Sequence, residues 1–190
     1  MDLKVIKHDV LHRGKVFDLI VDQVEYPSGN RGIREVAHHP GGAVAVPVFS
    51  DGKVLLVRQF RYPFGIYTVE APAGKLNPGE DPGPAAVREL EEETGYLAGK
   101  LEKLTAIYTT PGFCDEVLHI FLASDLKLSP GGHRREEGEQ TMTLEIMPLQ
   151  EAIAMIERRE IVDSKTIVGL LMAERKLRVK GPGIGDKGPA

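Results

Sequence analysis

The sequence predicts an α+β domain made of many short strands and few helices. Three observations carry that reading. Valine-rich and alternating segments, separated by turn residues, fill positions 3–71. One helix with a legible start and stop covers 82–94. Two more helical segments follow only near the end. A mixture of this kind packs in layers, with helices against sheet faces.

The elements can be taken in order. Residues 3–38 divide into LKVI, KVFDLIVDQVEY and RGIREVAHH, and Pro27-Ser28-Gly29-Asn30 turns the second into the third. The segment has few apolar residues on more than one face, so it is expected to pack on a neighbour rather than fold alone. Pro40-Gly41-Gly42 reads as a joint between a small β domain at 1–39 and a larger domain at 40–179. Segments 43–49 and 53–60 are expected to form a hairpin about Ser50-Asp51-Gly52. Residues 67–71 give a short strand and 74–83 a loop. Asp81 can cap the helix at 82–94, Pro82 or Pro84 suits its first turn, and Gly95 suits its end. Strands are expected at 101–108, 117–123 and 142–147, and helices at 151–158 and 164–177, the last capped by Asp163. The tail 180–190 is rich in Gly and Pro and is expected to be disordered. No internal repeat is apparent.

Composition narrows the function. A chain of 190 residues with 42% hydrophobic and 27% charged residues suits a globular protein with one main domain. The net charge of −4 gives no global basic field, which argues against a nucleic-acid partner. One cysteine, Cys114, excludes an intramolecular disulfide and a multi-cysteine zinc site, and it suits a reducing compartment. The start MDLKVIKHDV has no apolar run of signal-peptide length. No segment approaches the ~20 apolar residues of a membrane span. The expectation is a cytoplasmic enzyme or binding protein.

The stretch at 74–96 carries the chemistry. On a helix, Glu89 and Glu93 lie one turn apart on one face, and Glu92 sits at its edge. Like charges at that spacing repel, so something must compensate. A hard divalent cation does so, because Mg²⁺ favours carboxylate, water and phosphate oxygen. Gly74 and Gly79 let the preceding loop bend back toward the helix, and Arg88 can hold a carboxylate in place. Alone, an acidic run such as ELEEE would more often be a solvated face. Here glycines, an arginine and a leucine also occupy fixed positions. No P-loop is present, and the tail glycines at 181–185 follow no strand, so they are no dinucleotide fingerprint.

Residues 74–96 resemble the Nudix box at every position. Gly74 is followed after five residues by Glu80, and after seven more by Arg88-Glu89-Leu90. Then come Glu92-Glu93, Gly95 and the apolar Tyr96. The resemblance implies an α/β/α sandwich with the box as loop-helix-loop, and hydrolysis of a diphosphate joined to a second moiety. Pro111, sixteen residues after Gly95, resembles the mark of the ADP-ribose pyrophosphatase subfamily, as does the run Thr110-Pro111-Gly112-Phe113-Cys114-Asp115-Glu116. The stretches Arg34-Glu35-Val36, Gln59-Phe60-Arg61-Tyr62-Pro63 and Glu70-Ala71-Pro72-Ala73-Gly74 are similar to that subfamily in their order along the chain.

This resemblance implies a Mg²⁺-dependent hydrolase of ADP-ribose, with Mn²⁺ as a substitute and AMP and ribose 5-phosphate as products. GDP-mannose, other nucleotide sugars and dinucleotides are alternatives, and a non-catalytic nucleotide-binding domain is a third. It also implies a homodimer in which the N-terminal strands exchange and reach the partner's substrate site. The implied metal ligands are Glu89, Glu92, Glu93, the main-chain oxygen of Ala73, and Glu139, with Arg88 and Glu80 in support. The base falls in the late loop 131–139, at Glu137. Arg34, Arg61 and Glu116 are implied substrate contacts. Phe17 either stacks on adenine or packs the small domain.

Overall fold

The computed structural model describes residues 2–135, 137 and 140–180. The expected tail 180–190 lies outside them beyond Lys180, as does Glu139.

Among the described residues the N-terminal strands β1 (Lys4–Arg13), β2 (Asp18–Glu25) and β3 (Arg31–His38) form their own antiparallel sheet. Val24 is buried there, but Val5, Ile6, Leu11, Val16, Phe17 and Ile33 are exposed. The loop before β9 docks on the end of this sheet. Ala37 N donates to Phe113 O at 2.8 Å, and His38 Nδ1 lies 2.6 Å from Asp115 Oδ2.

The rest of the chain is layered. β4 (Gly42–Pro47) sits in a sheet ordered β7-β4-β9-β8, with β7 at Ala73–Lys75, β8 at Tyr96–Tyr108 and β9 at Val117–Leu128. β4 and β9 run parallel; the other pairs are antiparallel. Every residue of β4 is buried, so it has a helix or sheet on each face. Ala43, Ala45, Phe121 and Ala123 meet Ala85, Ala86 and Leu90 of α1 (Pro82–Thr94). On the opposite face, Val44, Val46, Ile120 and Leu122 join the main core. There they meet β5 (Lys53–Arg61), α2 (Leu149–Glu157) and α3 (Ser164–Lys180). β5 lies between β10 (Thr143–Pro148) and β6 (Ile66–Glu70) in a second sheet. Helices on both sides of the mixed sheet give the expected α/β/α layering.

Some expectations change in detail. The turn at 50–52 forms, with Phe49 N bonded to Lys53 O at 2.8 Å, but the hairpin does not. After a single bridge at Val48 and Val54 the two strands part into different sheets. Both are buried valine-rich strands, and each fills a central place in its own sheet. β7 arises inside the expected loop, because three residues pair with β4. β8 and β9 run well past the expected limits as one long antiparallel pair. The helix at 82–94 falls where its cap signals place it.

Candidate functional site

The helix α1 begins at Asp81, whose Oδ1 accepts from Gly83 N at 3.2 Å. It ends at Gly95, which takes φ 74°, a left-handed conformation that favours glycine. Between these caps the 3.6-residue period sends Ala85, Ala86 and Leu90 into the sheet and turns Glu89 and Glu93 toward β7. Glu93 is 2% exposed, and its Oε2 accepts from Ala73 N at 3.3 Å. Glu89 lies flat against Gly74. A Cβ on Gly74 would stand 2.0 Å from the Glu89 carboxyl carbon, so only glycine admits this contact.

Arg88 holds the acids apart. Its Nε and Nη2 donate to Glu80 Oε1 and Oε2, both at 2.9 Å, in a bidentate pair. Nη2 also reaches Lys75 O at 3.3 Å, which ties the helix to β7. Nη1 donates to Glu89 Oε1 at 2.6 Å and Glu92 Oε2 at 3.1 Å. The hydrogen bond from Arg88 holds the Glu80 carboxyl at about 2, well below its ordinary value, and Glu80 in turn raises the Arg88 guanidinium above its own.

The donor set suits a hard divalent ion: the carboxylates of α1 meet the Ala73-Gly74 backbone. Among the described residues, no three His, Cys, Asp or Glu side chains are gathered tightly enough to hold an ion by themselves. Arg88 Nη1 stands between Glu89 and Glu92.

A cleft of about 350 Å³ opens beside Ala73 and Gly74. Arg61, Lys75 and Lys165 line it together with His39, Glu116 and Asp163. Arg61 is engaged: Nε donates to Glu70 Oε1 at 2.7 Å and Nη2 to Glu70 Oε2 at 2.5 Å. Glu70 is 1% exposed and also accepts from Thr68 Oγ1 at 2.5 Å and from Lys165 Nζ. Burial pushes the Glu70 carboxyl up, but the Arg61 hydrogen bond and the Lys165 charge outweigh it and leave it at about 2. Lys165 pairs with Asp163 Oδ1 at 3.0 Å, and Asp163 caps α3 by accepting from Thr166 N at 3.0 Å. On the opposite side His39 Nδ1 stands 3.3 Å from Glu116 Oε1.

The structure thus brings Ala73, Arg88, Glu89, Glu92 and Glu93 together, and sets Arg61 and Glu116 in the neighbouring cleft. Arg34 lies elsewhere. It covers the Tyr26 ring at 5.5 Å, donates to the Tyr26 hydroxyl, and lines a separate groove with Pro111 and Phe113. Phe17 is 46% exposed at the β1–β2 turn. The late loop is clamped to the end of α1: Arg134 N donates to Glu92 O and Arg135 Nε to Glu93 O, each at 2.8 Å. Glu137 is exposed beyond that clamp. Glu139 lies outside the described residues. Sequence reading missed Lys75, Lys165 and His39, and it left Glu70 without a role. Asp163 was read as a cap and is one.

Comparison with known proteins gives four matches. The model of the NUDIX domain matches residues 39–167. The chain is 43% identical over 176 residues to the ADP-ribose pyrophosphatase of Bacillus subtilis (strain 168), covering 93% of this chain and 95% of that protein. It is also 40% identical to the methanol dehydrogenase activator of Bacillus methanolicus, covering 88% of this chain and 90% of the other. Among solved structures, an ADP compounds hydrolase superposes with a TM-score of 0.83 over 95% of this chain and 97% of its own. At 20% identity that match speaks for the fold alone.

Proposed function

Because the chain belongs to the Nudix family, we propose that it is a hydrolase that uses Mg²⁺, with Mn²⁺ as a substitute, to cut ADP-ribose into AMP and ribose 5-phosphate. The observation that carries this reading is the meeting of Glu89 and Glu93 with the Ala73-Gly74 backbone at the edge of a cleft walled by Arg61, Lys75 and Lys165. Acids that would hold a cation stand beside bases that would hold a diphosphate. Pro111 and the B. subtilis relative's name support ADP-ribose as the substrate.

In this reading Glu89, Glu92, Glu93, the Ala73 carbonyl and Glu139 would hold the ion, which would supply neutralisation of phosphate charge and activation of water. Arg88, anchored on Glu80, orients Glu89 and Glu92. Glu137 takes the proton of the attacking water. The water oxygen bonds to one phosphorus. The bridging P–O bond breaks, and its electron pair stays on the departing phosphate. Arg61 binds phosphate, and Glu116 binds the substrate beside it. Residues 1–39 form a small domain exchanged across a homodimer, and 40–179 the catalytic domain. Arg34 and Phe17 reach the partner's substrate from that small domain. The exposed apolar residues of its sheet support the exchange. The enzyme works in the cytoplasm on small molecules.

The test is a panel of ADP-ribose, GDP-mannose, NADH and diadenosine polyphosphates with Mg²⁺, products being separated and identified. ADP-ribose is expected among the best substrates, with AMP and ribose 5-phosphate released. If it is not among them, the substrate assignment is wrong.

A further inference from the structure

We propose that Glu70 is a positioning residue of the cleft, whose carboxylate fixes the Arg61 guanidinium and the Lys165 ammonium as one cationic wall for the substrate's diphosphate. The inference rests on the hydrolase reading above and deepens it.

The argument starts from cost. A carboxylate that is 1% exposed must be compensated by several donors. Glu70 collects them from three elements. Arg61 of β5 binds it in the bidentate manner, Thr68 of β6 adds a hydroxyl, and Lys165 of α3 adds an ammonium. Both cations line the cleft, so Glu70 stands behind them on the core side. Arginine and lysine side chains are long and have much rotamer freedom to lose on binding a ligand. A carboxylate that fixes both beforehand removes part of that cost.

A merely structural role is less suited to the same residue. The first turn of α3 is already joined to the residue that follows β6, because Ala71 N donates to Thr166 Oγ1 at 2.8 Å, and Asp163 caps the helix. Glu70 is placed so that its loss releases the cations first.

The test uses the full chain and a cycle of Glu70→Gln, Arg61→Ala and the double variant, assayed with ADP-ribose and Mg²⁺. Acting through Arg61, Glu70→Gln should raise KM about tenfold and leave kcat within about threefold. In the Arg61→Ala background it should add less than about threefold to KM, the part carried through Lys165. Thr68→Val, which keeps both charges, should raise KM about twofold to threefold and serves if Glu70→Gln does not fold. A readout independent of turnover is the Arg61 Nε–H resonance in proton–nitrogen spectra. It should be protected from exchange in the unaltered chain and exchange rapidly in Glu70→Gln or, to a lesser degree, in Thr68→Val. Additive KM effects, unchanged KM with a lowered Tm, or an unchanged Arg61 resonance would each overturn the proposal. If the unaltered chain fails on ADP-ribose, the substrate reading falls, and the positioning claim is decided by the Arg61 resonance.

Discussion

Two clusters of acids and bases border the same cleft, and their charges balance differently. At α1, Glu89 and Glu92 of the helix and Glu80 of the loop before it share the guanidinium of Arg88, while Glu93 sits one turn from Glu89. Around Arg61, two cations meet two carboxylates: Arg61 and Lys165 against Glu70 and Asp163. Among the described residues the first cluster counts more carboxylates than cations, and the second counts as many of each. A surplus held on a rigid helix is tolerable where a further cation belongs. A balanced cluster built on a buried carboxylate serves to hold its cations still at the cleft. The contrast separates a place for an ion from a scaffold, although both are made of the same side chains.

The strongest way to break this contrast is to remove one carboxylate from the surplus. Glu93→Gln should lower kcat by more than about 100-fold, because losing a ligand should cost more than the 10–100-fold typical of outer partners. Steady-state rates over a Mg²⁺ titration would measure it. Full turnover in that variant would end the metal reading of the helix. Next in size is Gly74→Ala. Its Cβ would land on the Glu89 carboxyl, so the acid must move. We expect a fall in kcat of about 10–100-fold, as for a displaced supporting group, and a stability loss of about 1–3 kcal/mol from overpacking. Unchanged kcat and Tm would mean that Glu89 has a second, equally good position.

The two clusters also differ in how legible they were in the sequence. The α1 cluster lies within one 23-residue stretch, where Asp81, Pro82 and Gly95 mark the helix and the helical period itself brings Glu89 to Glu93. The helical period groups these acids, and the resemblance of the whole stretch to the Nudix box separates them from an ordinary acidic face. The Arg61 cluster joins positions 61, 68, 70, 163 and 165, which meet only through the β5–β6 register and the docking of α3. No local period encodes that, so Glu70 and Lys165 gave no signal of their own. The fold shows the same limit. Capped helices were placed well, but the hairpin at 43–60 was misread, because the turn was visible and the separation of its strands into two sheets was not.

A smaller effect sharpens the role of Arg88. Arg88→Lys keeps the charge but loses the fork that grips Glu80. In chelator the grip of Arg88 on Glu89 and Glu92 is not supplemented by an added cation, so Tm should fall further there than in Mg²⁺. Thermal melts with and without the ion would compare the two. Equal losses would show that Arg88 does not relieve the repulsion between Glu89 and Glu92.

The smallest expected effect follows from the closed cluster's response to acid. Glu70 is held at about 2, below its ordinary 4.5, so the folded state binds its proton less readily than the unfolded chain. A depressed carboxyl contributes stability that is fully present above 4.5 and disappears as pH falls toward 2. Glu80, in the loop before α1, behaves in the same way, with Arg88 as the cause. Unaltered protein should therefore lose Tm steadily across that window from both clusters. Glu70→Gln cannot titrate at this position, so its curve should be flatter, and its deficit against the unaltered chain should shrink as pH falls from 4.5 to 2. Melting curves at a series of pH values read this directly. Parallel curves would mean that Arg61 and Lys165 do not hold Glu70 ionised, and the distinction between a closed scaffold and an open ion site would lose its electrostatic basis.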